Sequence, residues 1–213
     1  MKKVIFLGLM LGILSCKAQY KSYTGEQTKI ITMTKLDNKS FDEIQINGEA
    51  NFILPNGNSV RQIRIGDTYD EEITIKGSPF IIKNTYAKSN RAIQSSLELF
   101  YGFPIGVKKF YDGYGNVIKE IDCDKPAFKF SIDDLALKIK NEFSIDIMKD
   151  NKYVNVSRTL LISTSVPLTY TVAFPVDSKI NLNIDPQYGD KRVLVIDGNT
   201  GSIISNTIKS YTK

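Results

Sequence analysis

Short runs of β-type residues, each followed by a turn, fill the first half of this chain of 213 residues. The runs alternate apolar and polar residues or are rich in β-branched residues, which is typical of half-buried strands. The predicted strands are 29–33, 43–46, 51–54, 60–65 and 72–75. Between the later runs stand Asn47-Gly48, Pro55-Asn56-Gly57-Asn58 and Gly66-Asp67, which tolerate positive φ or preset a turn. Because turns this short join antiparallel neighbours, we predict an antiparallel meander.

The second half begins with the clearest helix signal of the sequence. Ser131 is followed by Asp133 and Asp134, a start that resembles a capping box with acids in the first turn. Ile132, Leu135, Ala136, Ile139 and Phe143 then share one helix face. Further runs at 153–156, 159–164, 169–174, 179–184, 192–196 and 202–208 predict strands. We therefore expect an α+β fold, antiparallel and β-rich, with one main amphipathic helix at about Ile132–Phe143 packed on a C-terminal antiparallel sheet.

The amino terminus has the pattern of a bacterial export signal. Lys2 and Lys3 precede an apolar run over residues 4–14, and Cys16 follows. This run is shorter than the roughly 20 residues that a membrane-spanning helix needs. In one interpretation the segment ends as a lipobox and Cys16 is acylated; in the other, cleavage after Ala18 leaves Gln19 first. We favour acylation, because a cysteine directly after such a run is otherwise uncommon.

This signal sets the expected organisation and location of the protein. We expect residues 1–18 to hold the signal peptide, with a lipobox that ends at Cys16 or cleavage after Ala18. Residues 19–28 are expected to form a tether, 29–125 a β-rich half, and 126–213 a helix with an antiparallel sheet. We expect an exported lipoprotein that is periplasmic or anchored at the outer membrane. The alternative cleavage predicts a soluble periplasmic or secreted protein.

The composition argues against most catalytic chemistry. There is no histidine, so the commonest general base near neutral pH and the commonest zinc ligand are missing. Cys123 stands between Asp122 and Asp124, whose charge disfavours a thiolate nucleophile. We predict no enzyme, no cofactor and no metal. The enzymatic alternative is a carboxylate-based glycosidase, which needs two acids about 5–10 Å apart.

The charge distribution argues against nucleic acid as a partner. The chain has 28 basic and 23 acidic residues, and loss of Lys2 and Lys3 with the signal leaves 26 basic ones. Only five are arginines, and they do not form the dense basic face that nucleic acids require. The acidic run from Asp67 to Glu72 is interpreted as a solvated loop before a strand.

The carboxyl-terminal part resembles a diverged PepSY-type module. The amphipathic helix, the strand Tyr170-Thr171-Val172 and the closing Asp-Gly-x-Thr-Gly hairpin between Val193 and Ile203 carry this resemblance. The long segment 144–167 departs from the compact module. Modules of this type occur in propeptides and in envelope proteins that restrain peptidases, and they bring no catalytic residues.

A second resemblance lies at residues 110–120. The Tyr-Asp-x-x-Gly-Asn-x-x-Lys-Glu segment is similar to hairpins of small envelope proteins, including some immunity proteins that neutralise toxins. Tyrosine gives large contact area at small entropy cost. The candidate partner-binding residues are Tyr111, Asp112, Tyr114 and Asn116. We predict a non-enzymatic envelope lipoprotein that binds and restrains another protein, a toxin or a peptidase. The alternatives are a PepSY-type modulator of a peptidase and a structural or assembly component of the outer envelope.

Overall fold

The computed structural model describes residues 38–124, 128–149, 152–159, 167–176 and 189–211. The predicted signal peptide, the acylated Cys16, the tether and the strands at 29–33 and 179–184 lie outside these residues, as does all but the first residue of the strand predicted at 159–164. Those expectations remain predictions.

The first sheet is a seven-stranded antiparallel meander in which every strand pairs with its neighbour in the chain. A short helix, α1 (Asn38–Ile44), precedes it. The strands are β1 (Glu49–Ile53), β2 (Ser59–Ile65), β3 (Thr68–Thr74), β4 (Phe80–Ala87), β5 (Ile93–Phe100), β6 (Phe103–Tyr111) and β7 (Val117–Asp122). The turn before β1 uses the left-handed conformation at Asn47 and Gly48, with φ of 55° and 83°. This is the conformation that Asn and Gly adopt at least cost.

The second sheet has the strand order β11-β10-β9-β8, again antiparallel. Its strands are β8 (Asn155–Arg158), β9 (Thr169–Pro175), β10 (Gly189–Asp197) and β11 (Ile203–Tyr211). Helix α2 (Ile132–Phe143) precedes them in the chain. Ser131 caps α2: its side chain accepts the Asp134 N–H, and the Asp134 carboxylate accepts the Ser131 N–H, which satisfies two otherwise unpaired donors.

One hydrophobic core contains side chains from both sheets and from α2. Leu135 and Ile139 of α2 lie in it together with Val172 and Leu194 of the second sheet. The first sheet contributes the ends of β4, β5 and β6, including Phe100. The rings of Phe143 and Phe174 are 5.4 Å apart at one side of the helix. The helix therefore buries its apolar stripe at the junction of the two sheets.

The predicted α+β class is wrong, because the protein is mostly antiparallel β structure. The described part of the chain holds eleven strands but only two helices, of 7 and 12 residues. Helix α2 packs on the core with three buried side chains and is not a main structural layer. The physical reason is the meander: its short turns leave no room for crossover helices.

A local prediction is also wrong at residues 43–46, where the sequence pattern predicts a strand. Residues up to Ile44 belong to α1. The Phe41 ring packs edge to face against Tyr69 of β3, with ring centres 5.0 Å apart. Tertiary burial of Phe41 thus determines the conformation of a segment that is too short to be a stable helix by itself.

Candidate functional site

The turn between β6 and β7 is held together by Asp112. Its Oδ1 atom accepts the backbone N–H groups of Tyr114 (2.8 Å) and Asn116 (2.9 Å), and its Oδ2 atom accepts the Asn116 side-chain amide at 3.0 Å. These bonds lower the pKa of Asp112, and the bond from the Asn116 side chain contributes most. The polar groups of Asp112 and Asn116, two of the four candidate binding residues, are therefore engaged within the turn.

The two candidate tyrosines lie in different environments. Tyr111 is half-buried and packs against the cluster that contains Phe41, Tyr69 and Tyr86. This burial raises the pKa of the Tyr111 hydroxyl. Tyr114 at the tip of the turn is 91% exposed. Tyr114 is thus the candidate that presents its whole ring to solvent.

The strand that follows this turn is an exposed sheet edge. Among the described strands β7 pairs with β6 alone, and three apolar side chains on it are exposed: Val117, Ile118 (66%) and Ile121. Edge strands offer unpaired N–H and C=O groups to another chain. We call Tyr114 together with β7 the hairpin edge. Sequence reasoning identified its turn but not its apolar side chains.

Two lysines flank an aromatic ring beside the hairpin edge. The ammonium groups of Lys108 on β6 and Lys119 on β7 lie 4.9 and 5.4 Å from the centre of the Phe110 ring. A cation at this distance is attracted by the negative face of the ring. This part of the hairpin therefore presents positive charge over an aromatic surface.

A buried carboxylate, Glu71, occupies the middle of the first sheet. It accepts hydrogen bonds from Gln62 on β2 (2.7 Å), Asn84 on β4 (3.0 Å) and the Tyr86 hydroxyl (2.9 Å). All four side chains are buried. Burial raises the pKa of Tyr86, and the neighbouring Glu71 charge raises it further. We call these four residues the Glu71 cluster.

The Glu71 cluster contradicts the interpretation of the acidic run as a solvated loop. The run lies largely in β3, where successive side chains point to opposite faces of the sheet. Asp70 and Glu72 face one side and lie 3.5 and 3.4 Å from the Lys83 ammonium. Glu71 points to the other side and is buried. The positions of Tyr69, Glu71 and Ile73, two residues apart, indicate one buried strand face. This pattern is hard to recognise in the sequence because Glu71 and its neighbours are acidic.

The Glu71 cluster holds a single carboxylate among neutral donors. A glycosidase pair needs a second acid facing the first across a gap, and Gln62, Asn84 and Tyr86 do not provide it. The arrangement satisfies the buried charge with hydrogen bonds from strands on both sides of β3, so it fixes the register of three strands.

Arg158 of β8 connects the two sheets. Its guanidinium donates to the Asp124 carboxylate at 2.7 Å and to the backbone carbonyls of Pro104 and Cys123. The rings of Phe103 and Phe128 each lie 5.1 Å from it. Cys123 is half-buried, and burial, followed by the nearby Asp124 charge, raises the pKa of its thiol. These residues form a structural junction.

Comparison with protein-family models, with curated proteins and with solved structures finds no match to this chain. Within the described ranges, no group of three or more acidic or cysteine side chains is placed to hold a metal ion. Neither α1 nor α2, the helices of the described part, is long and apolar enough to cross a membrane.

Proposed function

We propose that this chain is a non-enzymatic protein of the cell envelope, anchored through an acylated Cys16, that binds and restrains another protein. The restrained protein is a toxin or a peptidase. The observation that carries this proposal is the hairpin edge: an exposed tyrosine at the tip of the turn is followed by three exposed apolar side chains on β7, a strand with an open side among the described strands. Exposed aromatic and apolar groups around an open strand edge are typical of protein-binding surfaces.

The internal bonding of the turn supports recognition by a preformed surface. Asp112 fixes the turn through three hydrogen bonds, so Tyr114 is held on a rigid support. A binding surface that is already ordered loses less conformational entropy when the partner docks. We propose that Tyr114 is the aromatic anchor and that β7 accepts an extended segment of the partner as an added strand.

The charges beside β7 define the chemistry of that partner segment. Lys108 and Lys119 concentrate positive charge around Phe110, whereas Ile118 and Ile121 are apolar. A complementary strand carries an acidic residue opposite Lys119, a basic residue opposite Glu120 and apolar residues opposite the isoleucines. The proposal therefore assigns to the restrained protein an edge strand in which one acidic and one basic residue stand between apolar ones.

The test is affinity capture of the full chain from its own cells, followed by mass spectrometry and an activity assay of the captured protein. Tyr114→Ala combined with Ile118→Lys is the test variant. Ile65→Lys is the matched control, because Ile65 is also an exposed isoleucine of this sheet (52%) but lies at the turn between β2 and β3.

The proposal expects one protein that the wild type and the control recover and that the test variant loses. The purified chain should also suppress the toxic or peptidase activity of that protein. Recovery of only a lipid or a glycan would contradict the function. Equal recovery by all three chains would contradict the assignment of the hairpin edge.

A further inference from the structure

The outer strand of the second sheet, β11, has an open edge with two exposed isoleucines. Among the described strands it pairs only with β10. Ile204 and Ile208 are 56% and 53% exposed. They stand symmetrically about Asn206, because residues 204–208 read Ile-Ser-Asn-Thr-Ile.

The hydrogen-bond pattern of the sheet shows which groups face this open edge. The Val176 N–H donates to the Asp190 carbonyl, so Asp190 and every second residue after it direct their backbone groups to β9. The residues between them, including Val193 and Val195, face β11. Their partners there are Thr207 and Ser205. Asn206 and Ile208 therefore point their own N–H and C=O groups away from β10, toward the open edge.

The segment is complementary to itself when it pairs antiparallel across a twofold axis. Such an axis is perpendicular to the sheet, so a given residue points to the same face in both copies. Because side chains alternate between faces along a strand, the sequence numbers of two paired residues must differ by an even number. With the axis at Asn206, Asn206 meets Asn206 of the second copy, Ser205 meets Thr207, and Ile204 meets Ile208. Every pair is chemically matched, and the Asn206 pair is one in which both backbone groups face the partner.

Strand β7, the open edge of the first sheet, is not complementary to itself. With an axis at Lys119 or Glu120, in the middle of β7, a second copy would place Lys119 opposite Lys119 or Glu120 opposite Glu120. Like charges directly opposite each other destabilise a strand pair. Two copies can therefore pair through the middle of β11, but not through the middle of β7.

We propose that a second copy of this chain docks on β11 through residues 204–208, with a twofold axis at Asn206, and joins the two four-stranded sheets into one continuous sheet. In the dimer, the contact between Ile204 of one copy and Ile208 of the other occurs twice and covers exposed apolar surface of both side chains. Two strand edges form a small interface compared with the roughly 1,200 Å² of a standard stable one. The expected dimer is therefore weak, with a dissociation constant in the micromolar to millimolar range. The proposal is independent of the hairpin edge, which belongs to the first sheet.

The test is sedimentation of the full chain carrying Cys16→Ala, compared with Ile204→Glu, Ile208→Lys and the double variant in the same background. Each single change places a charge opposite an isoleucine and should raise the dimer dissociation constant about tenfold. The double variant pairs an acidic with a basic side chain at both of these positions and should recover most of the affinity. Ile118→Lys on β7 is the control and should leave the dimer unchanged.

Three results would overturn the proposal. The first is a protein that is still monomeric at about 1 mM, the concentration at which even a contact of about 4 kcal/mol is detected. The second is a dimer that neither single change weakens, and the third is a double variant that dimerises no better than the single variants. Circular dichroism verifies that each variant is folded.

A crosslinking measurement is available should a charged variant misfold. In a background with Cys16→Ala and Cys123→Ser, Asn206→Cys should form a crosslinked dimer with a short bismaleimide reagent, because hydrogen-bonded antiparallel pairs have Cα atoms about 5.5 Å apart. Lys209→Cys, which would face Ile203, should not. Equal crosslinking of the two would contradict the register.

Discussion

The Arg158 guanidinium on β8 and the Asp124 carboxylate just beyond β7 are 2.7 Å apart, so one ion pair spans the two sheets. The Arg158 side chain is almost fully buried, and its Nη2 atom donates to the backbone carbonyls of Pro104 and Cys123. Removal of one member of such a pair leaves the remaining buried groups without partners, which lowers the free energy of unfolding.

We predict that Arg158→Met lowers the free energy of unfolding by about 3 kcal/mol, measured by urea denaturation. Arg61→Met is the matched control, because Arg61 also makes ion pairs, with Glu49 and Glu72, but at the surface. Surface pairs contribute little to stability. A similar small loss for both variants would contradict the structural role of Arg158.

The Glu71 cluster predicts a difference between two adjacent glutamates. Glu71→Ala removes the acceptor of three buried donors and should lower the free energy of unfolding by about 3 kcal/mol or more. Glu72→Ala removes only partly exposed ion pairs and should cost less than about 1 kcal/mol. Urea denaturation of both variants measures this, and equal losses would argue against burial of Glu71.

The pKa of Tyr86 predicts alkaline sensitivity. The folded protein retains the Tyr86 proton at a pH where the unfolded chain, with an ordinary value of 10.0, releases it. The associated stability is fully present below about pH 10 and declines as the pH rises above it. Between about pH 9 and 11 the free energy of unfolding should fall more steeply for the wild type than for Tyr86→Phe. Parallel pH profiles would be inconsistent with this burial.

The two hairpin tyrosines should separate in a stability measurement. Tyr111→Ala removes a half-buried ring from the cluster around Phe41 and should lower the free energy of unfolding by about 2 kcal/mol. Tyr114→Ala should change it by less than about 0.5 kcal/mol, because the ring is exposed. Thermal or urea unfolding distinguishes them. For this reason only Tyr114 is suited to a binding test.

The proposed anchor gives a prediction about fractionation. Cys16→Ala should move the protein from the membrane fraction to the soluble fraction, because the thiol that would carry the acyl chain is missing. Immunoblotting of the two fractions measures this, and Ser15→Ala, which keeps the cysteine, is the control. Unchanged fractionation of Cys16→Ala would favour cleavage after Ala18.

Local sequence signals located turns better than they located buried side chains. Asn47-Gly48 and the Asp112 turn stand where the sequence places them, because each depends on residues within a few positions. The conformation of α1 depends on contact between Phe41 and Tyr69, which are 28 positions apart and meet only after the sheet forms. A single-sequence pattern does not contain that information.

In the candidate site, too, local features were predicted from the sequence, whereas features that depend on distant residues were not. Residue type and turn chemistry directed attention to Tyr114, which is exposed at the tip of its hairpin. The burial of Glu71 depends on strand register, which aligns it with Gln62 on one side and Asn84 on the other. The predicted fold class was wrong because the helix signal was interpreted as a main structural element, whereas α2 has 12 residues and the described part of the chain holds eleven strands.

The order of strands in the first sheet also has a consequence for folding kinetics. Because each strand from β2 to β7 pairs with the strand before it, the sheet can grow by closing short loops, and we expect its contact order to be low for a β protein. Each hairpin can be added as soon as it leaves the ribosome. The ion pair of Asp124 with Arg158 joins residues 34 positions apart, so we expect docking of the two sheets to follow growth of the meander.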